Sequence, residues 1–149
     1  MENGANDDPD LEGLDPEAIA RAEAAVAAFS DDYIDWVRDD VERLKELLRA
    51  AADDSRRGHE TLDAVIRIGH NMRGQGGSFG YPLITRLASS LYEFIKSRDV
   101  AVSDEDLEIA NRHIAELDTI VTRRIKGKGD MATRRRVEQV ERLTAKRVQ

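Results

Sequence analysis

Between Ile34 and Val121, four successive stretches place apolar residues at intervals of three and four, the spacing of a helix that buries one face. Ile34, Val37, Val41, Leu44, Leu48 and Ala51 form the clearest stripe. Leu62, Val65, Gly69, Met72, Gly76 and Phe79 repeat the rhythm, with Ile66 widening it. Leu83, Ile84, Leu87, Leu91, Phe94 and Ile95 make a third stripe, and Leu107, Ala110, Ile114, Leu117 and Val121 a fourth. Each stripe has to be covered by the others. Four amphipathic helices joined by short connections predict an all-α fold, an antiparallel up-down four-helix bundle.

An extra helix is expected in front of it. Asp15 offers an N-cap acceptor and Pro16 a first helical residue, and Ile19, Ala22, Val26 and Phe29 follow at helical spacing. Ser30 reads as the cap of the next helix, with Asp31 and Asp32 set against its dipole, so the leading helix should end near Phe29 and cover one end of the bundle. Tyr33 and Trp36 should pack against it. Ser103 caps the last bundle helix, with Asp104, Glu105 and Asp106 in its first turn. The glycines of "KGKG" at 126–129 break that helix, and Met131–Gln149 reads as a basic helical extension with Val137, Val140 and Leu143 in line. The expected organisation is thus a flexible acidic leader over residues 1–14, the helical bundle over 15–126 and the basic extension over 127–149.

Composition excludes several classes. Charged residues are 36% of the 149 and aromatics 5%, which suits helices with solvated charged faces and not a β-sandwich. Without cysteine, neither a disulfide framework nor a thiolate metal site is possible. No apolar run approaches the roughly 20 residues of a membrane span, and the N-terminus has no signal-peptide pattern, so a cytoplasmic protein without membrane contact is expected. The net charge of −7 conceals an asymmetry: residues 1–18 carry seven acids and no base, whereas residues 123–149 carry ten bases and three acids. The basic end has no aromatic residue for stacking on bases, so nucleic acid is not an expected partner.

The second stripe contains an anomaly. "GHNMRGQGGSFG", residues Gly69 to Gly80, holds five of the chain's ten glycines around one of the three histidines, in a stretch that keeps the helical rhythm. An interior helical glycine costs roughly 1 kcal/mol relative to alanine. Gly69, Gly74, Gly76 and Gly77 together would cost about 4 kcal/mol, a large share of the ~5–15 kcal/mol that separates a folded domain from its unfolded chain. On a helical wheel Gly69 and Gly76 lie on the seam, where they admit close approach of a neighbouring helix. His70 falls at the solvent margin, with Gly74 and Gly77 on its own side over the next two turns. The imidazole therefore stands over a surface bare of side chains, and Arg73, one turn on, offers a cation to any anion it holds. Neutral imidazole is a competent nucleophile near pH 7. This setting suits accepting a phosphoryl group from a partner and passing it on. It suits hydrolysis poorly, because no second base, acid or metal ligand stands near in sequence.

With His70, Arg73, Gly74, Phe79 and Gly80 in that order, the stretch resembles the phosphorylation motif of histidine-containing phosphotransfer (HPt) domains. It is especially similar to the phosphorylatable N-terminal domain of chemotaxis-type histidine kinases, where Phe-Gly also closes the motif. The resemblance spans roughly residues 31–125 and implies a histidine phosphocarrier of a two-component phosphorelay, exchanging its phosphoryl group with response-regulator receiver domains or taking it from a sensor histidine kinase. It implies phosphorylation of His70 on Nε2, with Arg73 near the phosphoryl group. Gly69, Gly76, Phe79 and Gly80 would be structural parts of the motif. No cofactor or metal is expected in the chain itself; Mg²⁺ belongs on the partner receiver. The chain would be a monomer and no enzyme in its own right.

Two positions depart from the family pattern. Arg73 stands where lysine is commoner, which keeps the charge and changes the donor geometry. Tyr92 stands 22 residues after the histidine, where relatives place Gln or Glu against the other ring nitrogen, so its hydroxyl is a candidate for that role. Arg67, Gln75 and Ser78, with Gly74 and Gly77, are candidates for the docking surface. His59 and His113 read as surface or packing residues.

Two rival readings compete with this one. A nucleotide-binding loop would need G-x-G-x-x-G, but "GQGGSFG" has Phe79 at the third glycine position and no G-K-[ST] follows. The stronger rival is an HPt-like module that docks on a kinase or response regulator without being phosphorylated. A complete kinase is not expected, because the bundle leaves no room in these residues for an ATP-binding domain.

Overall fold

Residues 30–51 form one stretch of helix with a single buried face, and that helix organises the rest. A computed structural model of the protein describes residues 15–53, 59–98 and 102–148. The acidic leader, residues 1–14, lies outside them. The helices are α1 (Pro16–Ala51), α2 (His59–Gln75), α3 (Pro82–Lys96), α4 (Asp104–Arg123) and α5 (Met131–Val148), with a single 3₁₀ turn at Gly77–Phe79. Among the described residues the structure is all-helical. Helices α1 to α4 close a ring in which each packs against two others, and α5 lies against α3 and α4. Pairing across the ring is antiparallel. Gly69 of α2 lies beside Tyr92 of α3 and Gly76, just past α2, beside Thr85; Ser90 of α3 and Arg98, just past it, meet His113 and Asp106 of α4.

The four stripes fill the interior. Ile34, Leu44, Val65, Met72, Leu87, Leu91, Phe94, Leu117 and Ile120 are all at most 1% exposed. The Ser103–Asp106 capping box starts α4 as the sequence predicts. Burial alone would raise the Asp106 carboxyl, but hydrogen bonds from Arg147 and Ser103 outweigh it and hold the group below its ordinary range.

The N-terminal reading needs correction. No second helix begins at Ser30: α1 runs unbroken for 36 residues from its Asp15 cap, whose side chain accepts from the Glu17 amide at 3.2 Å. Ser30 is no cap. Its hydroxyl donates to the Phe79 carbonyl at 2.9 Å, a partner 49 positions away, and with no glycine or proline nearby nothing stops the helix. The leading turns do not cover an end of the bundle either, since burial starts only at Ser30. Ile19, Val26 and Phe29 are 40%, 63% and 59% exposed. Tyr33 packs inside the bundle, stacked on Phe79 with ring centroids 4.8 Å apart, and Trp36 is exposed.

Helix α5 follows the expectation of a basic helix, and it is packed rather than free. Val137 and Val140 are buried against the bundle, and Leu143 is half-buried. Its bases meet acids of α4, Arg136 on Glu116 at 3.2 Å and Arg147 on Asp106 at 2.9 Å, while Arg86 of α3 pairs with Glu141. One polar pin joins three helices. His113, fully buried, donates from Nδ1 to the Ile109 carbonyl at 2.8 Å, which leaves Nε2 to accept from the Ser90 hydroxyl at 2.8 Å, with the Thr144 hydroxyl 3.2 Å away. Burial pushes its pKa down to about 4.

Candidate functional site

The α2–α3 corner is set by one glycine. Helix α2 stops at Gln75, short of the Phe79 expected from the seam, and just beyond it α3 comes too close for any side chain at Gly76. A Cβ there would stand 2.5 Å from Thr85 Oγ1 and 2.8 Å from the Tyr81 carbonyl oxygen. The Gly77 amide donates to Thr85 Oγ1 at 2.9 Å, and the Tyr81 amide to the Gly76 carbonyl at 2.8 Å. Gly80 then turns the chain at φ +88°, a conformation that other residues rarely adopt. At Gly69 the approach is ordinary van der Waals contact, with the nearest α3 atoms 3.6 Å from a built Cβ, so alanine would fit there.

His70 is exposed on α2, as expected. A Cβ on Gly74 would meet nothing within 4 Å, and one on Gly77 only Thr85 Oγ1 at 4.0 Å. The surface ahead of the imidazole is therefore open. Tyr92 reaches the site from α3 and meets the imidazole ring to ring, with centroids 5.6 Å apart and planes at 45°. Its hydroxyl accepts from Lys96 Nζ at 3.1 Å and makes no hydrogen bond to the imidazole. The Arg73 guanidinium lies 4.1 Å above the same Tyr92 ring and pairs through Nη1 with Glu93 Oε1 at 3.3 Å.

The structure thus brings His70, Arg73 and Tyr92 together. Arg67, Gln75 and Ser78 are exposed, and their side chains make no hydrogen bond or ion pair among the described residues. Ser78 instead lines a groove of about 610 Å³ with Gly77, Phe79, Gly80, Lys126 and the exposed apolar side of α1 at Ala22 and Val26. Glu93 and Lys96 were missed by the sequence reading. Their only signal was helical spacing, since Lys96 lies four residues after Tyr92 and Glu93 beside it. Among the described residues no cluster of three or more His, Asp or Glu side chains could hold a metal ion, and no helix is long and apolar enough to cross a membrane.

The family model of the Hpt domain matches residues 28–127. The chain belongs to the Hpt domain family, whose members are phosphocarrier modules of two-component signalling without catalytic activity of their own. Comparison with curated proteins and with solved structures returned no match.

Proposed function

We propose that this chain carries a phosphoryl group on His70, exchanging it with the aspartate of a response-regulator receiver domain or receiving it from a sensor histidine kinase. The observation that carries the reading is the exposed imidazole beside the Arg73 guanidinium, over a helix surface that Gly74 and Gly77 leave bare. In the receiver-to-histidine direction, Nε2 of the neutral ring attacks phosphorus, the bond from phosphorus to the aspartyl oxygen breaks, and the carboxylate leaves. The proton on Nδ1 stays in place, and the reverse step returns the group. Arg73 supplies charge-assisted hydrogen bonds to the phosphoryl oxygens. Mg²⁺ is supplied on the receiver side.

A receiver reaches the imidazole over Gly74 and Gly77, with Arg67, Gln75 and Ser78 at the rim of the contact. Gly69, Gly76, Phe79 and Gly80 shape the element that presents the histidine, and Tyr92 packs behind it. Residues 15–126 form the carrier unit and 127–149 its appended helix, and the protein works as a monomer in the cytoplasm. The test is to mix the protein with receiver domains charged by a small phosphodonor. Wild type should acquire an acid-labile, base-stable phosphate and His70→Gln none. No label on wild type with any receiver or kinase of the same organism would overturn the proposal and leave a docking module.

A further inference from the structure

Arg73, the cation nearest the candidate phosphorylation site, already has an anion. Its Nη1 is 3.3 Å from Glu93 Oε1, and both side chains touch water, at 31% and 68% exposure. The guanidinium is also laid on the Tyr92 ring, 4.1 Å from its centroid, and the same ring meets the His70 ring with centroids 5.6 Å apart. Tyr92 is therefore a platform shared by the cation and the nucleophile, and Glu93 fixes the cation on it. Lys96 sits at the hydroxyl end of the same ring, 5.2 Å from its centroid.

A phosphoryl group on His70 would bring about −1.5 to −2 charges and three acceptor oxygens into this arrangement. It would compete with the single negative charge of Glu93 for one guanidinium. The existing pair is a single contact at ordinary length between exposed groups, and such pairs are readily exchanged. A phosphoryl dianion, which can engage the guanidinium fork at two oxygens, is the stronger partner.

We infer that Glu93 is a positioning residue for phosphotransfer: it holds Arg73 on the Tyr92 ring while His70 is free and yields it when His70 is phosphorylated, so its carboxylate lowers the share of phosphate that His70 keeps at equilibrium. The inference rests on the phosphocarrier reading. No covalent change beyond the transfer itself is involved; one ion pair is exchanged for another. It also accounts for the placement of Glu93 one residue past Tyr92. From there its carboxylate reaches the guanidinium of Arg73, whereas Tyr92 meets the imidazole.

The experiment measures the equilibrium distribution of phosphate between this protein and a charged receiver for wild type, Glu93→Gln, Arg73→Ala and the double variant. Glu93→Gln should shift the distribution toward His70 by about two- to five-fold, the range open to an exposed ion pair. In the Arg73→Ala background the same substitution should change nothing. An unshifted Glu93→Gln overturns the inference. So does a gain that persists undiminished without Arg73, since Glu93 would then act by direct repulsion of the phosphoryl group. Failure of wild type to take up any phosphate overturns the phosphocarrier reading and this inference with it.

Discussion

Gly76 and Gly74 stand two residues apart and serve opposite ends. At Gly76 the backbone of α3 occupies the space a methyl group would need, with the Tyr81 carbonyl oxygen at 2.8 Å and the Thr85 nitrogen at 3.0 Å. At Gly74 that space is empty. Gly76→Ala should therefore destabilise the protein by about 1–3 kcal/mol, the usual range for forcing an extra carbon into a packed site. Gly74→Ala should be neutral or stabilise by up to about 1 kcal/mol through helix propensity. Urea denaturation of the two variants checks the contrast, and equal midpoints would contradict it. Gly74→Leu should fold as wild type does and still pass phosphate more slowly, because its side chain stands where a partner has to come close. The motif glycines look alike in the sequence, but only the neighbours of each, which lie on another helix, separate packing from access.

The helices themselves were legible to different degrees. The stripe from Ile34 to Ala51 is visible in the sequence because a period of three and four over five intervals has no other good solution, and the buried face of α1 follows it residue for residue. The boundary expected at Ser30 was not legible, because a serine before two aspartates has the local signature of a cap whether or not its hydroxyl is taken by a distant carbonyl. Here the Phe79 carbonyl takes it, and the helix runs on. The end of α2 was misplaced for a related reason: Gly76 and Phe79 keep the seam, but the Gly77 amide is taken by Thr85 Oγ1 of another helix and a 3₁₀ turn follows. Likewise the partner of Arg73 lies 20 residues away on α3, a pairing that no spacing within α2 reveals. The attachment of α5 depends on a histidine that passed as an ordinary packing residue. His113 has to be neutral for its Nε2 to accept from Ser90. An unfolded histidine titrates near 6.5, so below that pH the unfolded chain binds a proton that the folded one refuses until about pH 4. Stability from this group is full above pH 6.5 and drains away as the pH falls toward 4. Between pH 7.5 and pH 5 the loss should be about 2 kcal/mol. Urea midpoints at the two pH values measure it, and an unchanged midpoint would contradict the pinned, neutral ring.

Taken whole, the molecule separates its two kinds of histidine chemistry. One imidazole is sealed at the junction of α3, α4 and α5, where it holds the bundle to its last helix. Another stands in the open on α2, with a cation parked on the neighbouring ring and the surface ahead of it cleared. Part of the basic end is met within the molecule, since Arg136 and Arg147 of α5 pair with acids of α4. Exposed apolar surface of α1 lies toward the motif, where Val26 lines a groove with Ser78 and Gly80. The measurement that bears most directly on the phosphocarrier reading is NMR of the histidine-labelled protein, charged by its receiver and kept at alkaline pH. The account predicts a single phosphoramidate, on Nε2 of His70, with the His113 signals unmoved. Phosphate on another side chain, or none while the receiver is demonstrably charged, would contradict it.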